Sequence, residues 1–121
     1  MKRILVCGGR DFGNLALLEH TLAIVHARRG ISLIIEGGAL GADRMAREWA
    51  IKAGVPSQTY EADWKALGRC AGPVRNALMI TDGKPDAVIA FKGNNGTRDM
   101  IKKAQKAGIP VMLPGKWMEL P

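Results

Sequence analysis

The feature that most constrains this chain is a regular alternation of short apolar segments with longer segments of helical periodicity. Runs rich in aliphatic or β-branched residues lie at 3–7, 31–35, 57–61, 86–91 and 109–113. Segments whose apolar residues recur every three to four positions lie between them, at 14–29, 40–53, 72–82 and 97–107. Strand–helix alternation along a whole chain indicates a parallel sheet with helices on both faces. We therefore expect an α/β fold with about five parallel strands.

The length predicts a single domain over residues 1–121, because single domains cluster near roughly 100–150 residues. No run approaches the ~18 consecutive apolar residues of a membrane span. The apolar run 4–7 is also shorter than the roughly 7–15-residue core of a secretory signal, so it is interpreted as a first strand. The two cysteines, Cys7 and Cys70, show no CxxC spacing. These features favour a cytoplasmic protein without membrane attachment.

The charge of the chain points to an anionic partner. The chain carries 18 Lys and Arg against 11 Asp and Glu, a formal net charge of +7, and such a surface attracts nucleotides as well as nucleic acid. His20 and His26 are six residues apart on one predicted helix, which is unsuited to a shared metal. No HExxH, Walker A or GxSxG motif occurs. We expect neither a metal nor a cofactor.

Three glycine-bearing loops follow the first, second and fourth predicted strands: CGGRDF, EGGALGAD and KGNNGT. Parallel strands bring these loops to one edge of the sheet, where ligands of such folds bind. Glycine in a tight βα turn also serves packing alone, and that interpretation stays open for each loop taken singly. The three loops together, with nearby polar residues, predict a ligand site made of Gly8, Gly9, Arg10, Gly37, Gly38, Gly41, Asp43, Arg75, Asn76, Lys92, Gly93, Asn94, Asn95, Gly96 and Thr97.

The loop KGNNGT is typical of a phosphate-binding turn at a helix N-terminus. Thr97 is expected to cap the last helix and to donate to a phosphate oxygen. Asn94 and Asn95 are expected to adopt unusual backbone angles, and Lys92 adds positive charge. Arg75, near the start of the helix containing Pro73, is expected to reach over the sheet edge.

Four further residues have two interpretations each. Asp43 either supports the second helix or accepts a hydrogen bond from a ribose hydroxyl. Glu36 ends a buried strand, so it is expected to find backbone donors or a ligand. Asp63 and Trp64 are candidates for contact with a base or ribose, although a tryptophan of this kind more commonly belongs to the core or its rim.

These segments together, RILVCGGRDF, EGGALGAD, GRCAGPVRNALM and AFKGNNGTRDM, resemble the YspA and CpYpsA-related proteins of the SLOG superfamily, in order and over nearly the whole chain. The resemblance implies a Rossmann-like fold that binds a nucleotide or a nucleotide-derived molecule, and it implies a homodimer. Related SLOG proteins include the LOG phosphoribohydrolases, which cleave nucleoside monophosphates, and DNA-processing protein A, which binds single-stranded DNA.

The LOG enzymes carry a PGGxGTxxE loop that is only partly matched here. Gly93, Gly96 and Thr97 agree with that pattern, and Arg75 resembles the arginine of a preceding helix. Met100 stands where those enzymes have glutamate, and a thioether transfers no proton. We therefore expect nucleotide binding without LOG-type hydrolysis. The alternatives are a nucleosidase that uses another carboxylate, such as Glu36, Asp43 or Asp63, and binding of nucleic acid.

Overall fold

The computed structural model describes residues 2–120 and contains a five-stranded sheet in the order β3-β2-β1-β4-β5. The strands are β1 (Lys2–Cys7), β2 (Ile31–Glu36), β3 (Ser57–Thr59), β4 (Ala87–Ala90) and β5 (Val111–Met112). Every neighbouring pair is parallel, which confirms the predicted α/β fold. β3 and β5 are shorter than predicted, because each lies at an edge and pairs on one side only.

Five helices connect the strands. They are α1 (Leu15–Arg29), α2 (Ala42–Ala53), α3 (Trp64–Leu67), α4 (Ala71–Thr81) and α5 (Asn95–Lys106), with a 3₁₀ turn at Gly68–Cys70 between α3 and α4. The sequence pattern missed α3, since four residues are too few to show a period. It also placed the start of α5 two residues late. Asn94 holds the N-cap position, and Thr97 is the third residue of the helix, so the prediction that Thr97 caps α5 is wrong.

Alternation along β1 builds a separate core on each face of the sheet. Ile4 and Val6 face the side covered by α1 and α2, where Leu18 and Leu22 are fully buried. Leu5 and Cys7 face the opposite side, which α4 and α5 cover with Met79, Met100, Ile101 and Ala104. Both faces are therefore apolar, as a parallel sheet requires.

A homodimer, which the resemblance implies, would need exposed apolar surface such as α2 and α4 could offer. Trp49 on α2 and Met79 on α4 are only 9% and 2% exposed and belong to the cores. Val74 and Leu78, four residues apart on α4, are each 49% exposed instead. None of the helices in residues 2–120 has the length and apolar character that a membrane crossing requires.

Candidate functional site

The strand order places the ligand-binding position of this fold beside β1. β2 and β4 are the two neighbours of β1 in the sheet. The connections after β1 and β4 run toward opposite edges of the sheet, so their loops diverge above it. A cleft of about 530 Å³ opens there, within the range of roughly 300–1,000 Å³ typical of small-molecule sites. Its walls come from the end of β1, from the loops after β1 and β2, and from the first turns of α2, α3, α4 and α5.

Several of the predicted glycines allow the three loops to pack closely against one another. A Cβ on Gly41, whose φ is +79°, would overlap the carbonyl oxygen of Gly9. A Cβ on Gly8 would lie 2.6 Å from that of Ala42, and one on Gly93 would lie 2.7 Å from the amide nitrogen of Gly9. The Gly9 N–H also donates to the Lys92 carbonyl at 2.9 Å. The glycine richness of the loops is thus largely a packing requirement.

Gly96 is the exception among these glycines. It lies in the first turn of α5, its φ is not positive, and nothing lies within 4 Å of the position that a Cβ would take. A glycine inside a helix costs about 1 kcal/mol relative to alanine. Because no neighbour and no backbone angle requires glycine here, and Gly96 lines the cleft, the space above it is available to a ligand.

The N-terminus of α5 presents backbone donors beside Gly96. The N-cap side chain, Asn94, makes no capping hydrogen bond. The first intrahelical bond is donated by the Arg98 N–H to the Asn94 carbonyl at 3.0 Å, so the N–H groups of residues 95–97 precede the helical ladder. Neither Asn94 nor Asn95 has a positive φ, but Asn94, with φ −108° and ψ −140°, lies outside the regular α and β regions. The donors arise from an ordinary helix start that its own side chains leave uncapped.

Arg75 and Asn76 are neighbours on α4 that contact opposite walls of the cleft. The Arg75 guanidinium donates through Nη1 to the Gly37 carbonyl at 2.6 Å and through Nε to Asn76 Oδ1 at 3.0 Å. The Asn76 Nδ2 donates to the Gly96 carbonyl at 3.1 Å and to Asp99 Oδ2 at 3.0 Å. These contacts hold both side chains in place, and no acceptor within residues 2–120 binds Arg75 Nη2.

Asp43 is a carboxylate buried in the wall of the cleft. It is 6% exposed, and its Oδ2 accepts the Ala39 N–H at 3.2 Å. Its pKa is raised from 3.8 to about 7. Burial is the largest cause and the Glu36 carboxylate adds to it, whereas the Ala39 N–H and the Arg75 guanidinium act in the opposite direction. An acid with a pKa near 7 changes its charge at neutral pH, as catalytic and ligand-binding carboxyls often do.

Two more buried groups lie close to Asp43. Burial, and secondarily the charge of Asp43, raise the pKa of the Cys7 thiol, which forms part of the cleft lining. Glu36 is fully buried and does not line the cleft. It accepts the Gly38 N–H at 2.7 Å and the Thr59 hydroxyl, which confirms that it finds a backbone donor. Glu36 thus ties the β2 loop to β3, and its oxygens are occupied.

Met100 and Asp99, which are neighbours on α5, lie in different surroundings. The Met100 side chain is fully buried among Leu5, Val88 and Ala90, and it does not line the cleft. Asp99, one residue earlier, does line the cleft, and Lys103 pairs with it at 2.6 Å. Met100 therefore contributes nothing to the cleft of this chain, and the expectation of binding without LOG-type hydrolysis stays a prediction.

Trp64 lines the cleft, and Asp63 beside it does not. Asp63 accepts the Ala66 N–H at 3.1 Å and so caps α3, which makes it a structural residue rather than a cleft residue. Trp64 is 48% exposed, and the Arg10 guanidinium carbon lies 5.6 Å from the centroid of its ring.

The structure brings together many of the predicted residues and separates others. Those that line the cleft are Gly8, Gly9, Arg10, Asp43, Trp64, Arg75, Asn76, Asn94, Asn95, Gly96 and Thr97. Those that lie behind the lining or outside it are Gly37, Gly38, Gly41, Asp63, Lys92 and Gly93. The sequence analysis missed several lining residues, chiefly Cys7, Asp11, Arg69, Gly72, Pro73 and Asp99. Arg69 and Gly72 sit in the segment GRCAGP, whose glycines and proline were a usable signal.

Within residues 2–120, no three His, Cys, Asp or Glu side chains are close enough together to hold a metal ion.

The fold and the cleft define a Rossmann-like α/β domain with a ligand-sized opening at its switch point. Residues 2–67 match the model of the YspA, cpYpsA-related SLOG family. The chain is also 37% identical over 120 residues to the Gene 61 protein of Mycobacterium phage D29, across 93% of this chain and 95% of the phage protein. The chain belongs to the YspA, cpYpsA-related SLOG family, as its sequence motifs indicated.

A solved structure of glycinamide ribonucleotide transformylase 1 from Symbiobacterium toebii is similar in fold. The TM-score is 0.52 at 23% identity, and the match covers 85% of this chain but 47% of that one. The chain thus spans about half the length of that protein, and the similarity establishes the fold alone.

Proposed function

We propose that this domain binds a nucleotide or a nucleotide-derived molecule in the cleft, with its phosphate at the N-terminus of α5. The observation that carries the proposal is Gly96. It lines the cleft beside backbone N–H donors that no side chain caps, and no neighbouring atom or backbone angle requires a glycine at that position. Helix N-termini bind anions through such donors and through the helix dipole. Arg75 supplies a positive charge from the opposite wall.

The nucleic-acid alternative has less support. Binding of a single strand relies on several aromatic side chains that stack with successive bases. Trp64 is the one exposed aromatic side chain among residues 2–120, so the site offers a platform for one base. A mononucleotide-sized ligand suits the cleft better than an extended strand.

Gly96→Val is expected to weaken ligand binding strongly without loss of the fold. The valine would fill the space above the α5 donors, and the loss of charged hydrogen bonds worth about 1.5–3 kcal/mol corresponds to roughly 10- to 150-fold weaker binding. The measurement is calorimetric titration with AMP, GMP, CMP, UMP and inorganic phosphate, alongside a mass spectrum of small molecules released from the purified protein.

The matched control is Gly13→Val, the same change at an exposed glycine outside the cleft where a Cβ meets only Asp11 O at 4.0 Å. It is expected to bind as the wild type does. Equal affinity of wild type and Gly96→Val for every probe that binds would exclude the α5 site.

A second candidate function, hydrolysis of the N-glycosidic bond of a nucleotide, is favoured by the position of Asp43. A buried carboxyl that lines the cleft with a pKa of about 7 is suited to proton transfer at neutral pH. Water would add across the bond between sugar and base, releasing the free base and a sugar phosphate.

Release of free base is expected to fall in Asp43→Asn and in Gly96→Val. The first substitution removes the acid, and the second weakens binding of the substrate. Chromatography of the four monophosphates after incubation with each variant measures it. Activity that both variants retain would belong to a contaminant. Absence of release by a wild type that binds nucleotide would leave the protein a binding module.

A further inference from the structure

A second feature of the cleft, the exposed ring of Trp64, bears on which part of the ligand lies away from α5. This inference rests on the proposed function. Nearly half of the Trp64 side chain is exposed, and the side chain lines the cleft. α3 begins with the Asp63 cap and ends at Gly68, whose φ is +55°. One edge of the indole lies on the start of α4, where a Cβ on Gly72 would be 3.3 Å from Trp64 Cη2. The chain therefore presents a flat aromatic surface to the cleft.

A cation covers that surface. The Arg10 guanidinium lies over the Trp64 ring at 5.6 Å, within the ≈6 Å range of cation–π attraction. Such a contact is worth only about 0.5–1 kcal/mol at an exposed site, whereas stacking of a base on an aromatic side chain is worth about 1–3 kcal/mol. A base can therefore replace the guanidinium. Arg10 is exposed and lies in the loop after β1, so no core contact opposes its movement.

The anion donors and the aromatic surface lie at different places along the cleft. The α5 N-terminus follows β4, whereas α3 follows β3, and β1 and β2 lie between those two strands. Arg75 and Asp43 belong to the middle, since both approach Gly37 at the end of β2. A ligand with phosphate at α5 therefore extends its far end toward Trp64.

We propose that Trp64 is the subsite for the planar base of the ligand, and that the base displaces Arg10 from the indole face when it binds. The ligand class is then a nucleoside phosphate that lies across the sheet edge, with its sugar beside Asp43. Because only a ligand with a base must displace it, Arg10 acts as a competitor that lowers the affinity for nucleotides relative to ligands without an aromatic ring.

Ribose 5-phosphate tests this, because it shares the phosphate and sugar of a nucleotide but has no base. The quantity to measure by calorimetric titration is the ratio of nucleotide affinity to ribose 5-phosphate affinity, using AMP, GMP, CMP and UMP. Trp64→Ala is expected to lower this ratio roughly 5- to 150-fold, as loss of stacking implies, and to leave ribose 5-phosphate affinity unchanged. Trp64→Phe, which keeps an aromatic face, is expected to retain most of the wild-type affinity ratio.

Arg10→Ala tests whether the base displaces Arg10 from the indole or whether Arg10 itself attracts the ligand. Removing its charge affects both probes alike, so that effect cancels in the ratio, and loss of the competitor is expected to raise the ratio about 2- to 5-fold. Leu67→Ala is the control, since Leu67 is exposed on the same short helix and lies outside the cleft lining.

The outcomes separate the two proposals. A wild type that binds ribose 5-phosphate and all four nucleotides equally, or a ratio that Trp64→Ala leaves unchanged, overturns the base subsite while the phosphate site stands. An Arg10→Ala ratio that falls shows that Arg10 holds the base, which overturns displacement. A wild type that binds neither nucleotide nor ribose 5-phosphate overturns the proposed function itself, and the base subsite with it.

Discussion

Met100→Glu is expected to destabilise the protein by about 4–5 kcal/mol or more, the range that marks an unpaired charge placed in a core. Met100 is fully buried between the sheet and α5, in the cluster that contains Leu5, Val88 and Ala104. Domains have a total stability of about 5–15 kcal/mol, so much of the variant is expected to be unfolded at room temperature. Thermal and urea unfolding followed by circular dichroism measure the loss.

Two controls separate burial of charge from other effects at this position. Met100→Leu nearly conserves volume and is expected to cost less than about 1.5 kcal/mol. Lys102→Glu places the same carboxylate on the exposed side of α5 and is expected to change stability by only about 0.5 kcal/mol. A folded Met100→Glu with the melting temperature of the wild type and a new nucleotide-cleaving activity would contradict the burial of residue 100.

The stability of the wild type is expected to fall as the pH rises from about 4 to 7, and Asp43→Asn is expected to lack this loss. Asp43 retains its proton up to about pH 7 in the folded protein, whereas the unfolded chain releases it near 3.8. Between those values the folded state binds more protons, so its stability decreases with pH and levels off above about 7. One pH unit is worth about 1.4 kcal/mol, which makes the loss on the order of 4 kcal/mol.

Urea unfolding of wild type and Asp43→Asn between pH 4.5 and 8.5 measures the effect, because other titrating groups cancel in the difference. The advantage of Asp43→Asn is expected to grow with pH and to be greatest near pH 8. Glu48→Gln removes an exposed carboxylate from the same helix and is expected to follow the wild-type curve. Parallel curves for wild type and Asp43→Asn would show that Asp43 has an ordinary pKa in the folded protein.

These two predictions concern two side chains that are both buried but differ in chemistry. Both side chains are buried, but Met100 is apolar and packs against other apolar groups, whereas Asp43 is ionisable and opens onto the cleft. A buried carboxyl lowers stability at neutral pH, and such a cost is common where a site needs a titrating group. If Asp43→Asn is more stable and also binds or cleaves nucleotide less well, Asp43 is retained for function.

The sequence by itself determined the architecture of this protein. Apolar runs separated by segments of helical period specify parallel strands covered on both faces, and parallel strands bring their following loops to one edge. Periodicity depends on neighbouring residues, so it can be read from the chain directly. The position of the site at the loops after β1, β2 and β4, and the membership of Arg75 and Asp43 in it, followed from that topology.

The tertiary structure alone decided what each residue of those loops does. Gly41 and Gly96 are the same residue type in similar loops, yet one fits against the Gly9 carbonyl and the other faces open space. Asp99 lines the cleft, whereas Met100 lies in the core. The pKa of Asp43 is raised because the carboxyl is buried and because the Glu36 carboxylate is near it. These properties depend on distances between segments that are far apart in the chain, and only the packed fold sets such distances.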